Sequence, residues 1–184
     1  MKATDILEEE HRIIEKGIMY LDFSVEAIRN KKEVKKEEFS KVLDFFSTFA
    51  DKCHHLKEEK VLFPLLELRG ILKEGGPIGV MLFEHEEGRK LVREMKEALN
   101  SERKNTITNE QIAILASNYA EHLRSHIWKE ENILFKLANE VLLEEDDEKI
   151  VSLFEEYEEK EVGYEKHKHY VEMINQLSAK IKVL

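Results

Sequence analysis

The 184-residue sequence predicts an all-α fold, an up-down-up-down antiparallel four-helix bundle with an additional C-terminal helix. Three observations carry this. Glycine and proline are scarce (7 and 2 residues) while 37% of the chain is charged and 42% hydrophobic, a balance that suits long amphipathic helices and not a turn-rich β fold. Apolar residues recur at alternating spacings of three and four, the period of a helix face. The chain also repeats itself, two segments of its first half being answered by two of its second.

The first helix is expected from Thr4, an N-cap followed by acidic residues that suit the positive end of a helix dipole, to about Asn30. Leu7, His11, Ile14, Ile18, Leu21, Val25 and Ile28 share one face, so His11 points where the leucines point. After the polar NKKEVKK, a second helix from about Lys36 to near Gly70 places Leu43, Phe46, Ala50, Cys53, His54, Val61 and Leu65 inward. Pro64 should loosen the turn just before it. Gly75, Gly76 and Pro77 mark a loop and the start of a third helix with the inner stripe Ile78, Met81, Leu82, His85, Val92, Met95 and Leu99. Thr108 with Gln111 reads as a capping box for the fourth, whose inner stripe is Ile112, Leu115, Tyr119, His122, His126, Ile133, Leu137 and Val141. The acidic EEDDE should close it. From about Asp146 to Lys182 a further stripe, including Ile150, Phe154, Ile174 and Leu177, reads as one added helix with Gly163 as a break point. The chain therefore divides into a bundle, 1–143, and an extension, 144–184, whose stripe must pack on the bundle or on a second copy, as in a homodimer.

The net charge is -10, and no run of Lys and Arg is long enough to track a phosphate backbone, which argues against nucleic acid as a partner. No segment has the length and apolarity of a membrane span, the N-terminus MKATDILEEEH lacks a signal-peptide core, and the single Cys53 cannot form an intramolecular disulfide. A cytoplasmic protein is expected. A chain of this size builds a sufficient core without stapling metals, so a metal would serve function.

The repeat carries the chemistry. His54-His55-Leu-Lys-Glu58-Glu59 matches His126-Ile-Trp-Lys-Glu130-Glu131 at a constant offset of 72 residues, and Glu10-His11 matches Glu84-His85 at an offset of 74. Residues four apart lie above one another on a helix, so His54 with Glu58, and His126 with Glu130, can each chelate along one face, while His11 and His85 add one imidazole each. Imidazole holds iron, zinc or manganese at neutral pH, and a carboxylate can bridge two cations and neutralise their charge. Unpaired, six such groups would lose several kcal/mol of solvation apiece on burial, so their coincidence on inner stripes points to a metal pair.

His55 and Glu59 offer an equally good spacing one position along, but they share a stripe with Thr48, Asp51 and Lys52 that should be solvated. His122, one turn before His126, is a further candidate ligand, or it bonds Tyr119 or an acidic side chain. Cys53 is read as core filling, and His167 and His169, with no carboxylate four residues on, as packing or solvated residues. Neither the Glu-x-x-His of ferritin-type sites nor the His-Glu-x-x-His of zinc proteases is present at these positions.

The segments EEEH, HHLKEEKVLFP, FEHEEGR and HIWKEENILF, in this order over about residues 5–143, resemble the hemerythrin-like HHE cation-binding family. The resemblance implies a non-haem di-iron site held by His11, His54, Glu58, His85, His126 and Glu130. It implies two iron ions, open to an oxo or hydroxo bridge, ahead of zinc or manganese. It further implies binding or sensing of oxygen or another small diatomic ligand, or iron handling, with ligand access lined by Phe46, Phe63, Trp128 and Phe135. A second implied reading is a redox enzyme acting on nitric oxide, peroxide or oxygen, or an iron-sulfur cluster repair-type protein, although the latter carry a cysteine-containing N-terminal domain that this sequence lacks. Oxygen-carrying members have a second histidine where Arg89 stands, so a four-histidine centre is expected instead of their five-histidine one.

Overall fold

A computed structural model describes residues 2–181 and is helical almost throughout; Met1 and residues 182–184, with the expected end of the last helix at Lys182, lie outside the described residues. Helix α1 spans Ala3–Arg29. Helix α2, Lys36–Phe45, runs on through π-helical turns at Phe46–His55 and Glu58–Leu62 into α3, Phe63–Leu68. Helices α4, Pro77–Ser101, and α5, Glu110–Lys129, follow, and a π-helical turn at Glu130–Leu134 leads from α5 into α6, Phe135–Val141. The chain then forms α7, Glu144–Glu161, and α8, Tyr164–Ile181. Two short strands, β1 (Val34–Lys35) and β2 (Thr106–Ile107), pair antiparallel and tie the loop after α1 to the loop after α4.

Several boundaries differ from the expected ones. Helix α1 begins before Thr4, whose buried hydroxyl instead reaches Asn139 Oδ1 at 3.1 Å. The α1 N-terminus is satisfied from α7, where Asp147 Oδ1 accepts from the Ala3 amide at 2.8 Å. Asn109, not Thr108, caps α5 by accepting from the Gln111 amide. The acidic EEDDE opens α7 instead of closing the fourth helix, because carboxylates favour the positive end of a helix. The extension forms two helices, not one, since Gly163 adopts φ +82°, a left-handed conformation that ends α7.

The π-helical turns explain a larger discrepancy. Ile133 and Leu137, expected inside, are exposed, while Leu134, Phe135 and Ala138 are buried. Likewise Leu62, Phe63 and Leu66 are buried where Leu65 was expected. Each π turn accommodates an extra residue, so the inward face moves along by one position. Pro64 is not the cause, because the same turn recurs at Glu130–Leu134, where Lys136 occupies the equivalent place.

Residue pairs set how the helices lie together. Arg29 faces Glu110, Asp22 bonds Arg124 and Thr4 bonds Asn139, so α1 and the α5–α6 arm run in opposite senses. Arg89 with Asp51 and Lys96 with Ser47 do the same for α4 against the second helical arm. Where α1 crosses α2, a side chain at Gly17 would come within 2.9 Å of the Phe45 and Phe46 rings, so only glycine allows this approach.

Two apolar clusters result. One gathers Ile18, Phe39, Phe46, Met95, Ile112 and Ile174, the other Leu7, Phe63, Ile78, Leu134, Phe135 and Phe154. Helices α8 and α7 thus each complete a cluster, and the extension packs on the rest of the chain. Along every one of the first four helical arms the histidines and glutamates of the repeat fall at the junction of these clusters, between Leu7 and Ile14, for example, and between Met81 and Val92. Among the described residues no helix is long and apolar enough to cross a membrane.

Candidate metal centre

At that junction the structure brings all six predicted residues together. His11, His54, Glu58 and Glu130 offer ligand atoms within 4.8 Å of one another, and so do Glu58, His85, His126 and Glu130. The two groups share Glu58 and Glu130. All six side chains are buried. The Nε2 atoms of His11 and His54 lie 3.0 Å apart, and those of His85 and His126 3.2 Å apart. Two nitrogens each bonded to one metal at about 2.1 Å and at right angles would stand about 3 Å apart, which is this spacing.

Both oxygens of Glu58 and Oε1 of Glu130 are buried with no hydrogen-bond partner among the described residues. A carboxylate so placed is costly unless a cation meets it. The donor set therefore fits a pair of cations, each facing two imidazoles and sharing two carboxylates.

Four further glutamates hold the outward nitrogens of these rings, which the sequence reading missed. His11 Nδ1 meets Glu131 Oε1 at 3.0 Å, and His54 Nδ1 meets Glu10 Oε2 at 2.8 Å. His85 Nδ1 meets Glu59 Oε1 at 2.8 Å, and His126 Nδ1 meets Glu84 Oε2 at 3.0 Å. A carboxylate only accepts, so each Nδ1 carries the hydrogen and each Nε2 is turned inward. Glu10 and Glu84 each support the histidine of a neighbouring arm, not the one beside them in sequence. The carboxylates are anchored in turn by cations: Glu10 by Lys57, Glu84 by Lys129, Glu131 by Arg12 and Glu59 by Arg89. The only local signal was their adjacency to the predicted ligands in both halves of the repeat.

His55 corrects a second expectation. It is buried, its Nδ1 has no hydrogen-bond partner among the described residues, and it stacks on His85 at 4.0 Å between ring centroids. With His85 and His126 it forms a third group of convergent ligand atoms. Thr48 is buried as well, while Lys52 is exposed as expected, because π-helical winding over Phe46–His55 turns both adjacent histidines inward. His122 joins none of these groups; its Nε2 donates to the Glu84 carbonyl at 2.8 Å, a partner not anticipated. Trp128 is 59% exposed and does not line the centre, whereas Phe135 stacks on His11 and Phe63 on His85. A cavity of about 250 Å³ reaches His55 past Asp51, Gly88, Arg89 and Tyr119.

The electrostatics fix what a metal must displace. Burial works against a proton on His11, but hydrogen bonds to Glu130 and Glu131 and the charges of Glu130 and Glu58 raise it to about 9. His85 is opposed by burial in the same way and raised well above its usual range by Glu130, Glu58 and Glu59. Glu130 is held well below the usual carboxylate range: burial acts against this, and the charge of His126, with the hydrogen bond from His11 Nε2 to its other oxygen, Oε2, overcomes it. His55 is pushed well below its usual range by burial and by the charges of His85 and His126.

A folded-state value above the unfolded one stabilises the fold below the unfolded value and ceases to do so as pH rises through the folded one. For His11 the window is 6.5 to about 9, worth up to roughly 3 kcal/mol. The metal-free chain is therefore expected to lose thermal stability as pH rises through that window. Metal affinity should run the opposite way, strengthening with pH because each ion must expel protons from His11 and His85. Thermal unfolding and metal titration across the window check both trends, and an affinity independent of pH would contradict them.

Fold and centre together define an all-helical, cation-binding domain. The family description Hemerythrin HHE cation binding domain matches residues 2–138, and the chain belongs to this family. Comparison with curated proteins finds no match, nor does comparison with solved structures.

Proposed function

We propose that this protein is a non-haem di-iron protein that binds or senses oxygen or another small diatomic ligand at a pair of irons held by His11, His54, Glu58, His85, His126 and Glu130. The observation that carries this reading is the sharing of Glu58 and Glu130 between two histidine pairs, with three of their four oxygens lacking any hydrogen-bond partner among the described residues. Buried carboxylates from facing helices are what a bridged pair of iron ions requires, and mixed imidazole and carboxylate donors suit iron. In this reading residues 1–143 form the up-down-up-down bundle, supported by the opposite senses of its neighbouring arms.

When bound, a ferrous pair supplies the electrons with which a diatomic ligand is held or reduced. The chain's own residues do the rest. Glu10, Glu59, Glu84 and Glu131 hold the four rings in one tautomer and orientation. Phe63 and Phe135 cover two rings and keep water out. The cavity beside Arg89 admits a small ligand, and His55, with Nδ1 unpartnered among the described residues, can hydrogen-bond it or add a third imidazole beside His85 and His126.

Iron loading of the chain without oxygen, metal counting, and optical spectra on admitting oxygen test the proposal. About two irons per chain and a spectral change reversed by removing oxygen are expected. Rapid oxidation with no reversible change would favour the enzyme reading, and fewer than about one iron per chain would remove the central claim.

A further inference from the structure

Outside the six-residue centre, the structure gathers another set of metal-binding side chains from three separate elements. Cys53 Sγ, in the π-helical turn beside His54, lies 3.5 Å from Glu158 Oε2 of α7 and 3.7 Å from His167 Nδ1 of α8. His167 Nδ1 and Glu158 Oε1 are 2.7 Å apart. These three groups and Glu10 offer ligand atoms within 4.8 Å of one another. The last two helices lie beyond residues 2–138, where the family match ends.

We propose that Cys53, Glu158 and His167 form a second, mononuclear site for a thiophilic divalent cation such as zinc, with water or Glu10 in the fourth position. Sulfur, imidazole nitrogen and carboxylate oxygen are the donors zinc takes. In a tetrahedral zinc site sulfur stands about 3.6 Å from nitrogen or oxygen ligands, and nitrogen about 3.4 Å from oxygen. The two sulfur distances already match, and the His167–Glu158 pair must part by about 0.7 Å. That pair has room to move, its side chains being 20% and 21% exposed, whereas Cys53 is fully buried; the cation enters from their side.

Charge favours the occupant. Cys53 gives its proton to solvent as the sulfur–metal bond forms. The cluster then carries the charges of Cys53, Glu10 and Glu158 against the one ammonium of Lys57, which bonds both glutamates, and a divalent cation cancels the excess. The ion would clamp α7 and α8 to the turn that carries His54.

The full chain, iron-loaded and then equilibrated with zinc, should hold one zinc beyond its iron. Cys53→Ser and His167→Gln should each lose that zinc with iron content unchanged. In the double variant Glu58→Gln/Glu130→Gln, cobalt should still give a thiolate-to-metal charge-transfer band, lost again on adding His167→Gln. Iron counting on that double variant tests the di-iron reading separately, so the two proposals fail independently. Circular dichroism monitors folding, and because His167 is partly exposed its variant decides should Cys53→Ser not fold. No thiolate band with cobalt, or zinc retained in His167→Gln, would overturn the proposal.

Discussion

Replacing Glu58 and Glu130 together by glutamine is expected to abolish the metal pair, taking iron from about two per chain to below one. The two four-residue groups of the centre, one with His11 and His54 and one with His85 and His126, each draw half their members from these two residues, so their loss leaves two imidazoles per metal and nothing between the metals. In the metal-free fold the substitution has two opposed effects: it relieves the desolvation cost of Glu58, whose oxygens are both buried without a hydrogen-bond partner among the described residues, and it removes the charges that hold protons on His11 and His85. The readout is therefore a difference. Excess iron should raise the stability of the parent chain by about 2.7 kcal/mol for each site at a hundredfold excess over its Kd, and the variant's hardly at all. Unchanged iron content would sink the bridging assignment.

Lys57→Met should destabilise the metal-free protein by about 3 to 5 kcal/mol, as removal of one partner from a buried ion pair does. The ammonium is almost wholly buried between Glu10 and Glu158, and burial is outweighed by the charge of Lys57 and the bond from His54 in holding the Glu10 carboxyl at about 2. Without Lys57 that carboxylate keeps, among the described residues, only the hydrogen bond to His54. The equivalent lysine 72 residues on, Lys129, makes the same bond to Glu84 but from a more exposed position, so Lys129→Met should cost no more than about 1 kcal/mol. Urea unfolding of the two variants side by side measures the contrast. Because Glu10 orients His54, iron should also bind about ten- to a hundredfold more weakly in Lys57→Met. Equal costs for the two variants would contradict this account of the buried pair.

The contrast between those two lysines shows how far the repeat could be read. Its offsets of 72 and 74 residues place six residues in matched pairs, and these six converge, but His55, which joins His85 and His126, faces Ile127 in the repeat. The repeat also placed Lys57 against Lys129 and Glu59 against Glu131, yet nothing local distinguished these from surface charges. Their partners sit on other helices: Glu10 reaches His54, 44 residues away, and Glu84 reaches His126, 42 away. His167 and Cys53 were dismissed one at a time for the same reason, being 114 residues apart and joined through Glu158 of a third helix.

What the sequence determined by itself is the helical class, the near two-fold plan and the inner six, because apolar spacing and ligand spacing along a single helix are properties of consecutive residues. What only the tertiary structure decided is the winding and the pairing. A face projected at the α-helical period sent His55 outward and Ile133 inward, and π-helical turns at Phe46–His55 and Glu130–Leu134 reversed both. Such turns forfeit regular α-helical hydrogen bonds and persist where neighbouring helices, and here a cluster of buried donors and acceptors, make the displaced face the better packed one.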